Sequence, residues 1–133
     1  MYDIDIVYHL MRYLVSSGES HDGVSKLSLE EIVHITNKVG LEYVDAKKEA
    51  ERLSLLRSST KAQIMNRLDT GDISESKLLR MAEIDPEYID YIERMSEVKR
   101  KASRLQVRYE SYKNLFEAKR SLLSYQKAEM ALT

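Results

Sequence analysis

Residues 85–130 read DPEYIDYIERMSEVKRKASRLQVRYESYKNLFEAKRSLLSYQKAEM, and this stretch decides the fold. Asp85 suits a helix N-cap, Pro86 suits the first helical position, and Glu87 faces the positive end of the helix dipole. No Gly or Pro follows Pro86. The stretch therefore predicts one long, uninterrupted helix over about 86–130.

A seven-residue repeat of apolar side chains runs along this predicted helix. Its first position is occupied by Tyr88, Met95, Ala102, Tyr109, Phe116, Leu123 and Met130. Its fourth position is occupied by Tyr91, Val98, Leu105 and Tyr112, and then by Lys119 and Gln126. The repeat predicts an apolar seam that packs against another long helix. After four heptads the apolar positions shift toward Leu115 and Leu122.

A second long helix is predicted upstream, over about 29–69. Ser28 and Glu31 fit a capping box, and apolar residues follow at helical steps. Gly40 and the segment 58–60 are the places where this helix would bend or be interrupted. The turn at 69–72 ends the helix, and a short helix over about 75–84 follows.

The first 27 residues predict a separate, smaller element. Residues 3–15 place apolar side chains at helical spacing, although the alternation of Tyr2, Ile4 and Ile6 leaves a strand open. Residues 16–23 predict a polar loop. Charged residues break the apolar run at 4–15, so we expect neither a signal peptide nor a membrane span.

Helix length limits how the chain can pack. A compact globule of this size has a radius of gyration of roughly 14 Å, whereas a forty-residue helix spans about 60 Å. We therefore expect an all-α, elongated hairpin or coiled-coil bundle that forms a homo-oligomer through its long helices. The predicted oligomer interface consists of Tyr88, Met95, Val98, Leu105, Tyr109, Tyr112, Phe116 and Leu123.

The composition argues against most enzyme classes. The chain has no Cys, which excludes a disulfide scaffold, a thiolate zinc site and a Cys nucleophile. It also has no Gly-rich phosphate loop. Glu31 and His34 match one Glu-x-x-His step of di-iron bundles, but a second such step is missing. We expect no catalytic residues, no metal and no cofactor.

Basic residues concentrate in the last third of a nearly neutral chain. The net charge of −1 divides into −2 over residues 1–27, 0 over 28–70, −4 over 71–90 and +5 over 91–133. Clustered cations neutralise phosphates and release counterions. The residues that we expect to bind single-stranded nucleic acid are Arg57, Lys61, Arg67, Lys101, Arg104 and Arg108.

Two other interpretations of these patterns stay open. The flanks of coiled coils are usually charged, so a solvated, salt-bridged face explains part of the basic pattern. The aromatic residues of the seam are more typical of packing than of base stacking. Tyr125 lies off the seam and is the better stacking candidate.

Residues 28–133 resemble the UvsY-type phage recombination mediators. The resemblance is carried by LEYVDAKKEA at 41–50, by a basic helix that ends in Arg-Leu-Asp at 67–69, by the polar linker and helix at 74–84, and by the long helix 85–130. Within that last helix the matching segments are Tyr109-Glu110-Ser111-Tyr112-Lys113 and Lys119-Arg120-Ser121.

The resemblance implies a ring-like oligomer that binds single-stranded DNA. Such a protein helps to load a RecA-like recombinase onto a strand coated by a single-strand-binding protein. Arg67 fits the Arg-Leu-Asp step of the family's DNA-binding segment. Met65 stands where the family has a basic residue, which leaves Lys61 as the substitute.

Together, these observations predict a non-enzymatic accessory protein that binds single-stranded DNA. Its domains would be a short helix with a polar loop at 1–27 and a helical oligomerisation and nucleic-acid-binding domain at 28–133. We expect it in the cytoplasm, that of the host cell if a phage encodes it, and without membrane contact. The rival hypotheses are a coiled-coil structural or adaptor protein and a metal-dependent bundle enzyme.

Overall fold

The computed structural model describes residues 27–132, and these residues form three helices with short connections. Helix α1 spans Leu29–Leu68, α2 spans Glu75–Glu83 and α3 spans Pro86–Ala131. The predicted all-α class is confirmed for this part of the chain. The helix predicted at 3–15 and the loop predicted at 16–23 lie outside the described residues.

Side-chain caps fix the beginning of each of the three helices in residues 27–132. The Glu31 amide donates to Ser28 Oγ at 3.1 Å, and the Ser28 amide donates back to Glu31 Oε2 at 3.3 Å, so the predicted capping box is present. Ser74 Oγ accepts from the Lys77 amide at 3.3 Å. Asp85 Oδ1 accepts from the Glu87 amide at 3.0 Å, which satisfies one free donor of α3.

Helix α1 continues without a break through Gly40 and through residues 58–60. It ends at Leu68, and the following turn is stabilised by Asp69, whose Oδ1 accepts from the Gly71 amide at 2.9 Å. Gly71 has a φ of +89°, in the left-handed region that favours glycine. The chain therefore leaves α1 through a tight, glycine-dependent turn before α2.

The described residues fall into two compact units. Residues 27–43 and 104–132 belong to unit 1, and Val44–Ser103 forms unit 2. In unit 1, Lys119 Nζ donates to the Leu27 carbonyl at 2.5 Å, whereas Tyr109 lies beside Tyr43, so α1 and α3 run antiparallel there. The buried core of unit 1 consists of Ile32, Val39, Tyr112, Leu115 and Ala118.

In unit 2, all three helices contribute to the core. One buried cluster joins Ile64 of α1, Ala82 of α2 and Tyr88 of α3. The Tyr91 hydroxyl donates to the Leu53 carbonyl, and Ser54 Oγ lies 3.8 Å from Met95 Sδ. The long helices are therefore held together by buried aromatic and aliphatic side chains, with a few polar contacts.

Gly40 has a packing role, because the ring of Tyr109 lies against it. A Cβ at position 40 would stand 2.9 Å from Tyr109 Cε2. The ring has little room to move, since Tyr43 lies at a centroid distance of 6.3 Å and Lys113 Nζ at 5.2 Å. A larger residue at position 40 would therefore force the two helices of unit 1 apart.

We predict that Gly40→Ala lowers the free energy of unfolding by about 1 kcal/mol, because overpacking outweighs the helix-propensity gain of Ala. In a Tyr109→Ala background the same substitution should instead stabilise by about 1 kcal/mol. Urea unfolding of the four proteins measures both values. A stabilising Gly40→Ala in the wild-type background would contradict the close approach of the ring.

Candidate nucleic-acid interface

Two of the predicted DNA-binding cations in unit 2, Arg57 and Lys61, meet at the same tyrosine. Arg57 Nε donates to the Tyr88 hydroxyl at 3.1 Å. Lys61 Nζ lies 5.3 Å from the centroid of the Tyr88 ring and 3.3 Å from Glu83 Oε1. Both cations come from the last part of α1, and their partners come from α2 and α3. The distances place them within a network internal to unit 2.

Arg67, the third predicted cation of α1, is also paired. Its Nη2 lies 2.9 Å from Asp85 Oδ2 and 3.4 Å from Glu87 Oε2. The hydrogen bond from Arg67 holds the pKa of the Asp85 carboxyl below its usual range. Asp85 thus caps α3 with one oxygen and binds the last turn of α1 with the other.

The structure therefore brings together two segments that the sequence presents separately. Glu83, Asp85 and Glu87, which we call the acidic rim, all belong to the segment 71–90 with its charge of −4. The rim lies against Lys61 and Arg67 because α2 and α3 fold back on α1. The sequence signal that fits this arrangement is an acidic segment that follows a basic helix end after a short connection, and it does not say which residues pair.

Lys101 and Arg104 are in a different environment. Both side chains are exposed, and so is Lys99. None of these three cations forms an ion pair with any residue in the range 27–132. Lys99 and Lys101 belong to unit 2, and Arg104 belongs to unit 1. Their charge is therefore available to an anion in solvent.

Not every cation of α3 is available in this way. Arg100 pairs with Glu97, and Arg120 pairs with Glu117, each within one turn of the helix. The remaining predicted residue, Arg108, is half-buried in unit 1. The six predicted cations therefore divide into an internally paired set on α1, an exposed pair on α3 and a less accessible arginine.

The seam aromatics are packed inside the chain. Tyr88 is 5% exposed and Tyr112 is fully buried, so neither ring can stack on a base. Tyr125 is 51% exposed, so its ring can stack on a base.

The predicted oligomer interface is largely occupied within one chain. Met95 is buried as well as Tyr88 and Tyr112, while Leu123 is exposed. The half-buried members of the predicted interface are Val98, Leu105, Tyr109 and Phe116. The contacts that bury these residues in each unit include contacts with α1 of the same chain. Association of copies through this seam stays a prediction.

Among the described residues, the Glu31-x-x-His34 step is not part of a metal-binding group. Glu31 is engaged in the N-cap of α1, and His34 is exposed. In the part of the chain that the structure describes, no group of three or more His, Asp or Glu side chains is placed to hold a metal ion. Over the same residues, no helix combines the length and hydropathy needed to cross a bilayer.

Comparison with known proteins identifies no relative of this chain. No family model, curated protein or solved structure matches this chain.

Lys119 is a residue whose role the sequence pattern did not predict. It occupies a fourth position of the heptad, where its ammonium group is half-buried and donates to the Leu27 carbonyl. Burial lowers its pKa from the ordinary value for lysine. Lys119 thus fixes the chain just before α1 begins.

The Arg67–Asp85 pair should show itself in the pH dependence of stability. Asp85→Asn keeps a good N-cap but removes the charge, so we expect the variant to melt below wild type at neutral pH. Because the hydrogen bond from Arg67 lowers the pKa of folded Asp85, its contribution is fully present above the ordinary pKa of an aspartate and is lost as the pH falls through the lower, folded-state pKa. The two melting temperatures should therefore converge in acid, as followed by circular dichroism.

Asp90→Asn is the matched control, because Asp90 is exposed on α3 and makes no ion pair with a described residue. Its melting temperature should follow that of wild type at every pH. If the melting temperature of Asp85→Asn stays equally far below that of wild type in acid, the charge of Asp85 is not what stabilises the fold.

Proposed function

We propose that this protein binds single-stranded DNA through cations on α3. The observation that carries the proposal is a group of three exposed cations, close together in the sequence of α3, that form no ion pair with any residue in the range 27–132: Lys99 and Lys101 in unit 2 and Arg104 in unit 1. A phosphate can approach these groups without displacing an internal carboxylate. The gain in free energy comes from the release of the counterions condensed on the strand.

The charge distribution and one aromatic side chain support this proposal. Residues 91–133 contain ten basic and five acidic side chains, so pairing along the helix cannot neutralise the segment. Tyr125 presents an exposed ring in unit 1, and a base can stack on it whatever its identity. Binding of this kind depends on charge and stacking and has little sequence preference.

The wider role is proposed on the resemblance of residues 28–133 to UvsY-type mediators. On that basis the protein forms a homo-oligomer, and the strand it holds passes from a single-strand-binding protein to a RecA-like recombinase. The protein would perform no covalent chemistry. It would lower the cost of exchange by keeping the strand attached while its two protein partners change places.

A second candidate is a coiled-coil structural or adaptor protein that does not bind nucleic acid. The observation that favours it is the internal pairing of Arg57, Lys61 and Arg67, which makes these cations part of the fold. The pairing of Arg100 and Arg120 within α3 is typical of a solvated helix face.

We predict that Lys101→Ala with Arg104→Ala weakens binding to a labelled single-stranded oligonucleotide in a fluorescence-anisotropy titration. The slope of log K against log salt should fall by about 0.7 for each lost phosphate contact. Both positions are exposed within a helix, where Ala is well tolerated, so helix content should not change.

The matched control is Lys77→Ala with Arg80→Ala, which removes the same charge from exposed positions on α2. Equal losses of affinity for the oligonucleotide in the two double variants would mean that net charge alone attracts the strand. Absence of any wild-type binding at low salt would overturn the proposal and favour the adaptor.

The mediator role has its own test. Added to a RecA-like recombinase and DNA coated with a single-strand-binding protein, the wild-type protein should shorten the lag before strand exchange. The Lys101→Ala, Arg104→Ala variant should shorten it less. An unchanged lag, with DNA binding intact, would limit the function to strand binding.

A further inference from the structure

We infer that the acidic rim inhibits DNA binding from within the chain, because Glu83 and Glu87 form ion pairs with Lys61 and Arg67 where phosphates would otherwise bind. The inference rests on the proposed function and adds a second, concealed set of strand contacts to it. The cations of this set belong to unit 2, at the end of α1, and the competing carboxylates follow at the end of α2 and the start of α3.

The geometry of the two glutamates is that of weak, exchangeable ion pairs. Lys61 Nζ lies 3.3 Å from Glu83, and Arg67 Nη2 lies 3.4 Å from Glu87, both longer than a strong charge-assisted bond of about 2.8 Å. The glutamate side chains are 47% and 64% exposed. A pair with this length and exposure contributes little to stability, so a phosphate can replace the carboxylate.

Asp85 differs from the two glutamates and does not take part in the exchange. Its carboxylate lies 2.9 Å from Arg67 Nη2, and its side chain is only 12% exposed. Because it also caps α3, its loss would disturb the helix. Asp85 therefore keeps Arg67 in position while Glu87 leaves, and Nη2 of the guanidinium donates to a phosphate in place of Glu87.

Tethering makes the two glutamates effective competitors despite their weak bonds. A group fixed to the same chain acts at an effective concentration on the order of millimolar or above, whereas phosphates in solution must be brought in by the strand. A short strand cannot offset this competition. A longer strand, already attached to Lys101 and its neighbours, supplies phosphates locally and opens the second set of cations.

The test compares two double variants of the full chain. Glu83→Gln with Glu87→Gln removes both competitors and keeps the Asp85 cap. Glu51→Gln with Glu93→Gln removes the same charge from exposed positions of unit 2 that form no ion pair with any residue in the range 27–132. Affinity for a labelled single-stranded oligonucleotide is measured by anisotropy over a series of salt concentrations, and melting temperatures show that each protein is folded.

We expect the Glu83, Glu87 variant to bind about threefold to tenfold more tightly than the control variant. Its salt slope should be steeper by about 0.7 for each freed cation. The gain should disappear when Lys61→Gln and Arg67→Gln are added. Tight binding by this variant, where wild type binds only weakly, would also support the inference.

Equal affinities and slopes in the two double variants would overturn the inference and leave the proposed function standing, provided that wild type binds. A gain that survives loss of Lys61 and Arg67 would likewise overturn it, because the added affinity would then come from elsewhere. If wild type and every variant fail to bind at low salt, the proposed function and the inference both fall.

Discussion

One carboxylate, that of Asp85, connects the last turn of α1 to the first turn of α3. Its Oδ1 accepts from the Glu87 amide and its Oδ2 lies 2.9 Å from Arg67. The start of the longest helix and the end of the second longest therefore depend on the same side chain. Within unit 2, this pairing helps to set the register in which α3 folds back along α1, and that register brings Lys61 to Glu83 and Arg57 to Tyr88.

The same register brings together two oppositely charged segments that follow one another in the sequence. In the sequence, the basic end of α1 and the acidic segment that follows it have opposite charges, and each suggests a surface of its own. In the structure Lys61 and Arg67 pair with carboxylates of the acidic segment, whereas Arg57 donates to the uncharged hydroxyl of Tyr88, so the three cations contribute to packing. The exposed cations without an ion pair among the described residues include Lys99, Lys101 and Arg104 of α3, where the sequence offers no adjacent acidic segment.

Local features of the fold could be predicted from the sequence, and distant contacts could not. Ser28, Ser74 and Asp85 cap residues two or three positions away, so spacing alone predicts these caps. The pairing of Lys61 with Glu83 and of Lys119 with Leu27 depends on the register of two helices, which a heptad repeat leaves undetermined. The sequence therefore shows where the basic residues lie, but it does not show which of them form ion pairs.

The difference in sequence separation between the contacts of the two units has a consequence for folding. The Lys61–Glu83 and Arg67–Glu87 contacts of unit 2 join residues 22 and 20 positions apart, whereas the Lys119–Leu27 contact of unit 1 joins residues 92 positions apart. Closing the larger loop costs roughly 1.3 kcal/mol more in chain entropy, and contacts of short range form faster. Folding should therefore nucleate where α1, α2 and α3 meet in unit 2 and proceed along the paired helices, so that unit 1 closes last.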